Sequence, residues 1–423
     1  MTAAPPLGTP VGPPPTIGVL GRDWRATVTP WGAVQQWDEL GTLDWYVAAD
    51  DRWHVPADEP TVRQTLDAGT PVVETRVRIP NGDAIQRVYA AADHGGITVV
   101  EVENDSPLPI AVAFAGVRVL SQRPPTDMPI EGIELPSDTV VFPIGHHATL
   151  TVGVAHDPTS AMARSGQLPA TLSPRAQVSR AWLSAAERAS RLLVPDTTLV
   201  ANVVRTRCQL MLDGPPPARD LPVEFLLAVA ELVRMGSVAD AWIPELADAV
   251  AALPAHRDDA LLAAAIDAAM RVCVTADEPR AVKDLRKVRE RLAPGAGTVG
   301  MPSTIDGVRD VAALERAIAC GTDLFPAGIP SDWLGQHFEV YGVPTGPASE
   351  VSFAVRWHGE RPAVLWECTG EAVTLTSSGA ASGWRTTERT GETLWPAPAG
   401  AAVTVPDAIR PLDEPGSPDV SFG

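Results

Sequence analysis

The chain has 423 residues, of which 45% are hydrophobic and 20% charged, and its formal net charge is −19. This composition is typical of a globular protein with enough chain for several domains. Such an acidic chain repels phosphate backbones and anionic lipid headgroups, so we expect neither nucleic acid nor a membrane as a partner. The start of the chain has no signal-peptide pattern and no apolar run reaches the ~20 residues of a membrane span, which predicts a cytoplasmic protein.

Strand patterns dominate the first part of the chain. Residues 1–16 are rich in proline and predict a disordered arm. Residues 17–172 follow the period of two that is typical of strands, and Asn81-Gly82 between two alternating runs predicts a hairpin. Many short strands separated by turn residues predict an antiparallel β-sandwich. The clearest strand predictions are 73–79, 84–89, 97–103, 110–119, 139–144 and 149–155.

The period changes to three and four residues between about 173 and 322, which is typical of amphipathic helices. Proline and glycine clusters separate the helical stripes and predict antiparallel hairpins. About seven helices are predicted, with apolar stripes over 178–192, 200–211, 223–233, 243–250, 262–273, 282–292 and 308–318.

The strand period returns at about residue 323. Val351, Phe353, Val355 and Trp357 alternate with more polar residues, and a turn over 358–362 leads into the next strand. Residues 323–406 therefore predict a small β domain, and 407–423 predict a flexible tail. The predicted fold class is α+β multidomain, with a sandwich, a helical layer and a C-terminal β domain.

Three stretches resemble a known group of enzymes. They are Glu74–Asp83, Val99–Phe114 and Phe353–Glu367. In these stretches and in domain order the chain resembles glycosidases whose catalytic (α/α) toroid follows a β-sandwich, such as bacterial glucoamylases and trehalases. The resemblance implies a role in carbohydrate metabolism and a small β domain after the helices.

The helical segment is shorter than a toroid requires. Twelve helices with their loops need on the order of 300 residues, whereas the predicted helical segment here spans 173–322. We therefore predict an incomplete layer of helical hairpins. No segment matches the loops that carry the catalytic carboxylates in these glycosidases, so the resemblance assigns no catalytic residue.

Tryptophan gives the best signal for a sugar site. Four of the 12 tryptophans, Trp31, Trp37, Trp45 and Trp53, lie within 23 residues. An indole can stack on a pyranose ring while neighbouring polar groups bind its hydroxyls. The alternative is that these indoles form the core of the sandwich. The predicted substrate-binding residues are Trp31, Gln35, Trp37, Asp38, Glu39, Asp44 and Trp45.

Paired carboxylates would be needed for glycoside hydrolysis. Asp38 and Glu39 are adjacent, and adjacent strand residues point to opposite faces, so they form no obvious pair. Glu131 and Glu134 could converge within a loop. The run Gly295–Gly300 matches G-x-G-x-x-G but lacks a preceding strand, so no nucleotide cofactor is predicted. No metal site is predicted either.

Three functional hypotheses remain from the sequence. The leading one is a glycosidase-like protein, without catalysis, that binds carbohydrate or acts as a scaffold in carbohydrate metabolism. The second is an active glycoside hydrolase with an Asp/Glu pair. The third is a structural or interaction protein without a sugar ligand. The sequence leaves the oligomeric state open.

Overall fold

The structure is a computed structural model that describes residues 14–37, 41–126, 131–293 and 300–398. Antiparallel sheets come first, helices follow, and further sheets end the described chain. This order confirms the α+β multidomain class predicted from the sequence. The predicted tail and most of the predicted arm lie outside the described residues, but Thr16 already belongs to the first strand.

Two antiparallel sheets form the N-terminal part. The first has the strand order β1-β2-β3-β4-β10-β12, with β5 paired to β4, and the second has the order β11-β13-β9-β8-β7-β6. The strands are β1 (Thr16–Gly18), β2 (Arg25–Val28), β3 (Val34–Gln36), β4 (Thr42–Ala48), β5 (Trp53–His54), β6 (Arg63–Leu66), β7 (Val73–Ile79), β8 (Gly82–Ala91), β9 (Ile97–Asn104), β10 (Ile110–Ala115), β11 (Leu120–Ser121), β12 (Val140–Ile144) and β13 (Thr149–Ala155).

The predicted hairpin between β7 and β8 is confirmed. Asn81 has a φ of 63°, the left-handed conformation that asparagine tolerates in tight turns. Val73 pairs with Val88 and Ile79 with Gly82 across the hairpin. The inner faces of the two sheets share one apolar core, which includes Trp45, Val77, Val100, Phe114 and Phe142.

Eight helices lie between the two groups of sheets in the described chain, and the last seven correspond to the seven predicted stripes. They are α1 (Ala161–Ser165), α2 (Arg175–Ala186), α3 (Thr197–Asp213), α4 (Pro222–Arg234), α5 (Ile243–Ala252), α6 (Leu262–Thr275), α7 (Pro279–Leu292) and α8 (Val308–Ile318). Helix α4 is buried along most of its length and packs against α3, α5, α6 and α8.

The first helical stripe was predicted too long. Helix α2 ends at Ala186, and Leu192 lies instead in β14 (Arg191–Leu193), which pairs with the C-terminal strand β17 (Phe338–Gly346). Leu192 is 4% exposed and packs into the core of the C-terminal sheets. The boundary predicted at residue 323 is therefore not a clean division, because residues 191–193 and 319–320 join the C-terminal sheets.

The C-terminal part contains two more sheets. One has the order β14-β17-β18-β19-β22 and the other β15-β16-β20-β21. Val351, Phe353 and Val355 point into the core, as their alternation predicted. The remaining strands are β15 (Ala319–Cys320), β16 (Asp323–Leu324), β18 (Ser349–His358), β19 (Arg361–Gly370), β20 (Leu375–Thr376), β21 (Arg385–Thr386) and β22 (Thr390–Leu394).

The two N-terminal sheets differ in what covers their outer faces. The outer face of the second sheet, including Tyr89 and Val99, packs on α2 and α3 through Trp182, Val204 and Cys208. In the first sheet, β2 and β4 instead alternate between buried and more accessible residues, and in β3 Val34 is buried while Gln35 is exposed. These accessible residues form the outer face of the first sheet, and this face is open to a ligand.

A buried histidine should make the fold sensitive to acid. His156 stacks on Trp24 with ring centroids 3.6 Å apart, its Nε2 lies 3.1 Å from the hydroxyl of Thr98, and burial lowers its pKa to about 3. The unfolded chain takes up this proton near pH 6.5, whereas the folded chain does not. Stability contributed by neutral His156 is complete above pH 6.5 and is lost as pH falls from there towards 3.

The expected loss between pH 6.5 and 5 is about 2 kcal/mol of unfolding free energy, from the proton linkage of one site. Urea denaturation at pH 5.0, 5.5, 6.0, 6.5 and 7.0 measures it. His156→Gln should have a flatter profile over this interval, and His358→Gln, at an exposed position, should retain the wild-type slope. Equal slopes for wild type and His156→Gln would contradict the assignment.

Candidate ligand-binding sites

The register between β3 and β4 determines which predicted sugar-binding residues share a face. Gln35 lies opposite Thr27 on one side and Thr42 on the other, and Val34 lies opposite Leu43. Because side chains alternate along a strand, Gln35, Thr42 and Asp44 point away from the core that contains Val34 and Leu43. Three of the predicted residues, Gln35, Trp37 and Asp44, therefore lie on the outer face of the first sheet.

Trp37 is the most accessible aromatic side chain on this face. Its indole is 50% exposed, although its Nε1 donates a hydrogen bond of 2.7 Å to the hydroxyl of Thr27. Its backbone nitrogen also donates to the carbonyl of Arg25 and extends the pairing of β2 and β3. A large apolar ring that is held in place and still accessible is suited to stacking on a flat ligand.

Asp44 and Tyr46 lie next to each other on the outward side of β4. Burial raises the pKa of the Asp44 carboxyl. Burial also raises the pKa of the Tyr46 phenol, and the charges of Asp44 and Asp138 raise it further. Asp138 accepts a hydrogen bond of 3.0 Å from the backbone of Gly116. This end of the face therefore combines a neutral phenol with carboxylates that can accept hydrogen bonds.

The other predicted residues lie elsewhere. Trp45 faces the opposite way from Asp44, is 2% exposed, and donates from Nε1 to the carbonyl of Trp31 at 2.8 Å. Its indole is therefore part of the core and offers no stacking surface. Trp31 is 37% exposed in the turn between β2 and β3. Asp38 and Glu39 lie outside the described residues.

A cleft of about 440 Å³ lies between β6, α3 and the start of α8. Its polar wall comes from Asn202, Arg205, Gln209 and Asp213 on α3, together with Gln64 on β6. The volume is within the range of small-molecule sites. No aromatic side chain lines this cleft among the described residues. The cleft could not be predicted from the sequence, because its walls come from distant segments.

A buried network of ions connects the helices. Arg207, which is 2% exposed, donates to Glu231 at 2.8 Å and to Glu315 at 3.0 Å. Arg234 binds the same two carboxylates, at 2.5 and 2.8 Å. Despite the cost of burial, Arg207 and Arg234 lower the pKa of Glu231. Glu231 is therefore held ionised, which makes it unsuitable as the proton donor of a hydrolase.

A cavity of about 260 Å³ adjoins this network between α4, α6, α8 and the residues 344–347. Asp267 and Arg271 line it from α6, one turn apart. Burial raises the pKa of Asp267, although its carboxylate accepts a hydrogen bond of 3.2 Å from Arg289. Sequence reasoning missed these residues because charged positions on a helix are usually solvent-facing.

Comparison with protein-family models, curated proteins and solved structures finds no match for this chain. Within the described ranges, no group of three or more His, Cys, Asp or Glu side chains is arranged to hold a metal ion. No described helix is long and apolar enough to cross a membrane. Glu131 and Glu134 are exposed, and most of the glycine-rich run 295–300 lies outside the described residues.

Proposed function

We propose that the protein is a glycosidase-like protein that binds carbohydrate without hydrolysing it, through the outer face of the first sheet. The observation that carries the proposal is the half-exposed indole of Trp37 on the same face as Gln35 and Asp44. An indole supplies a platform for a sugar ring, and amide and carboxylate groups bind hydroxyls. The number of helices, seven from α2 to α8, is compatible with an incomplete (α/α) layer, of which α2 and α3 pack on the second sheet.

The length of the face favours an oligosaccharide. By the register of β3 and β4, Trp37 and Asp44 are offset by four residues, or about 13 Å along the strands. A single sugar ring bound at Trp37 would leave Asp44 out of reach, whereas a chain of rings would contact both. Asp44 and Asp138 also repel anionic glycans, so we expect neutral hexose chains to bind best.

Trp37→Ala should weaken oligosaccharide binding about ten- to a hundredfold, because it removes the stacking surface. Isothermal titration with malto- and cello-oligosaccharides and with trehalose measures this change. Tyr341→Ala removes another exposed aromatic, 40% accessible and located in the C-terminal sheet, and should leave affinity unchanged. Absence of saturable binding by any of these sugars, or equal affinity for Trp37→Ala and wild type, would refute the proposal.

A hydrolase remains the second candidate because burial raises the pKa of Asp44. Asp44 and Asp138 both lie close enough to Tyr46 for their charges to raise the pKa of its phenol. A glycosidase needs one protonated and one ionised carboxyl group at its site. Incubation of the same oligosaccharides with the protein, followed by analysis of reducing ends, separates the two candidates. Binding without release of products supports our proposal, whereas turnover that Asp44→Asn abolishes would establish the hydrolase.

A further inference from the structure

Arg271 differs from the arginines that surround it. Arg207, Arg234 and Arg289 each contact a carboxylate within 3.2 Å. In the part of the chain that the structure describes, the Arg271 guanidinium makes no hydrogen bond, lies beyond 4.0 Å from every carboxylate oxygen, and has a buried Nε. Arg271 is partly buried. A cation that is withdrawn from water without a close partner is costly, so such groups are usually paired or bind a ligand.

Arg271 also lines a space that can hold a ligand. The interhelical cavity of about 260 Å³ has apolar walls from Leu227, Ala264 and Ala312, and Arg271 and Asp267 on its polar side. Ordered water could fill such a space. Water carries no negative charge, however, and would give the guanidinium no charged hydrogen-bond partner, whereas Glu315, Asp267 and Glu231 act on it only from beyond hydrogen-bond distance.

We propose that this cavity binds a small monocarboxylate, whose two oxygens are received by the guanidinium of Arg271. The planar fork of arginine matches a carboxylate. Glu231 and Glu315 also line the cavity, and their charges would repel a dianion such as phosphate more than a monoanion. The apolar walls suit a short hydrocarbon body. This site is separate from the outer face of the first sheet and does not depend on carbohydrate binding.

The first test uses the wild-type protein. Titration calorimetry with propionate should show saturable binding, and inorganic phosphate and the uncharged isostere propionamide should bind at least about tenfold more weakly, since each lacks one feature that the site requires. The absence of saturable binding by propionate, or equal binding of propionate and propionamide, would overturn the proposal.

The second test uses variants. Arg271→Met should weaken propionate binding about a hundredfold, because a charge-assisted pair is lost. It should also raise the melting temperature of the ligand-free protein, because a partly buried charge without a close partner is removed. Arg280→Met, at an exposed position of α7, should change neither property. A lower melting temperature for Arg271→Met with unchanged propionate affinity would assign Arg271 a structural role.

A third variant tests the cavity independently of Arg271. Ala312→Leu fills part of the space and leaves the charged groups in place. It should weaken propionate binding about tenfold or more, because the added side chain occupies the position of the hydrocarbon body. Unchanged propionate affinity in this variant would place the binding elsewhere. Trp37→Ala should leave propionate binding intact, so the failure of one site is distinguishable from the failure of the other.

Discussion

Arg207→Met should destabilise the protein by about 3–5 kcal/mol, the cost expected when one partner is removed from a buried ion network. Arg207 joins α3 to Glu231 on α4 and to Glu315 on α8, and it also donates to the carbonyl of Ser190 at 2.7 Å. Without it, Arg234 is the remaining arginine of the described chain that contacts both buried carboxylates. The loss should appear as a lower urea midpoint of the helical unfolding transition, followed by circular dichroism.

The matched control lies two residues earlier on the same helix. Arg205 is 26% exposed and pairs with the exposed Asp306 at 3.4 Å. A pair of this kind contributes about 0–1 kcal/mol, so Arg205→Met should shift the midpoint little. Equal midpoints for Arg207→Met and Arg205→Met would contradict the structural role of the network.

Trp45→Ala should destabilise the N-terminal sheets by about 3–5 kcal/mol, because it leaves a large cavity in their shared core. The indole is 2% exposed, and its hydrogen bond to Trp31 would be lost as well. Trp37→Ala should cost less than about 1 kcal/mol, because half of that indole already contacts solvent. Denaturant unfolding of the two variants under the same conditions measures the difference.

Comparison of the Trp37→Ala and Trp45→Ala variants distinguishes a binding role from a core role for each tryptophan. Trp45→Ala at a temperature where it stays folded should retain oligosaccharide affinity, whereas Trp37→Ala should lose it. Similar stability losses for both variants would mean that Trp37 is also a core residue. The sandwich-core interpretation of the whole tryptophan cluster would then replace the binding interpretation.

The order of helices and strands was largely predictable, because the spacing of apolar residues along the chain reflects which face of a helix or strand is buried. The stripes over 200–211 and 262–273 fall within α3 and α6, and the alternation over 73–79 coincides with β7. Leu192 was misassigned because an apolar residue at helical spacing is equally compatible with a short strand. Only the pairing with β17 distinguishes the strand from a continued helix. The strand predicted over 110–119 ends at Ala115 for a similar reason, since apolar residues continue into the turn that follows.

The candidate sites were predictable only in part. Composition indicated the tryptophan-rich segment. Whether Trp37 and Trp45 point to the core or to solvent depends on the register of β3 with β4, which the sequence does not specify. The ion network was missed because Glu231 and Glu315 are 84 residues apart and each one alone resembles a solvated helix residue. Arg271 was missed for a similar reason, because the sequence does not show which side chains surround a residue in the folded chain.

The most direct test of carbohydrate binding is a heteronuclear NMR titration that follows the tryptophan indole N–H signals. Addition of the best-bound neutral oligosaccharide should shift the Trp37 signal and the backbone amides of β3 and β4, because these strands form the outer face of the first sheet. The Trp45 signal, from the core, should move little. Shifts confined to α3 and β6, or an unchanged Trp37 signal at saturating oligosaccharide, would contradict the proposal.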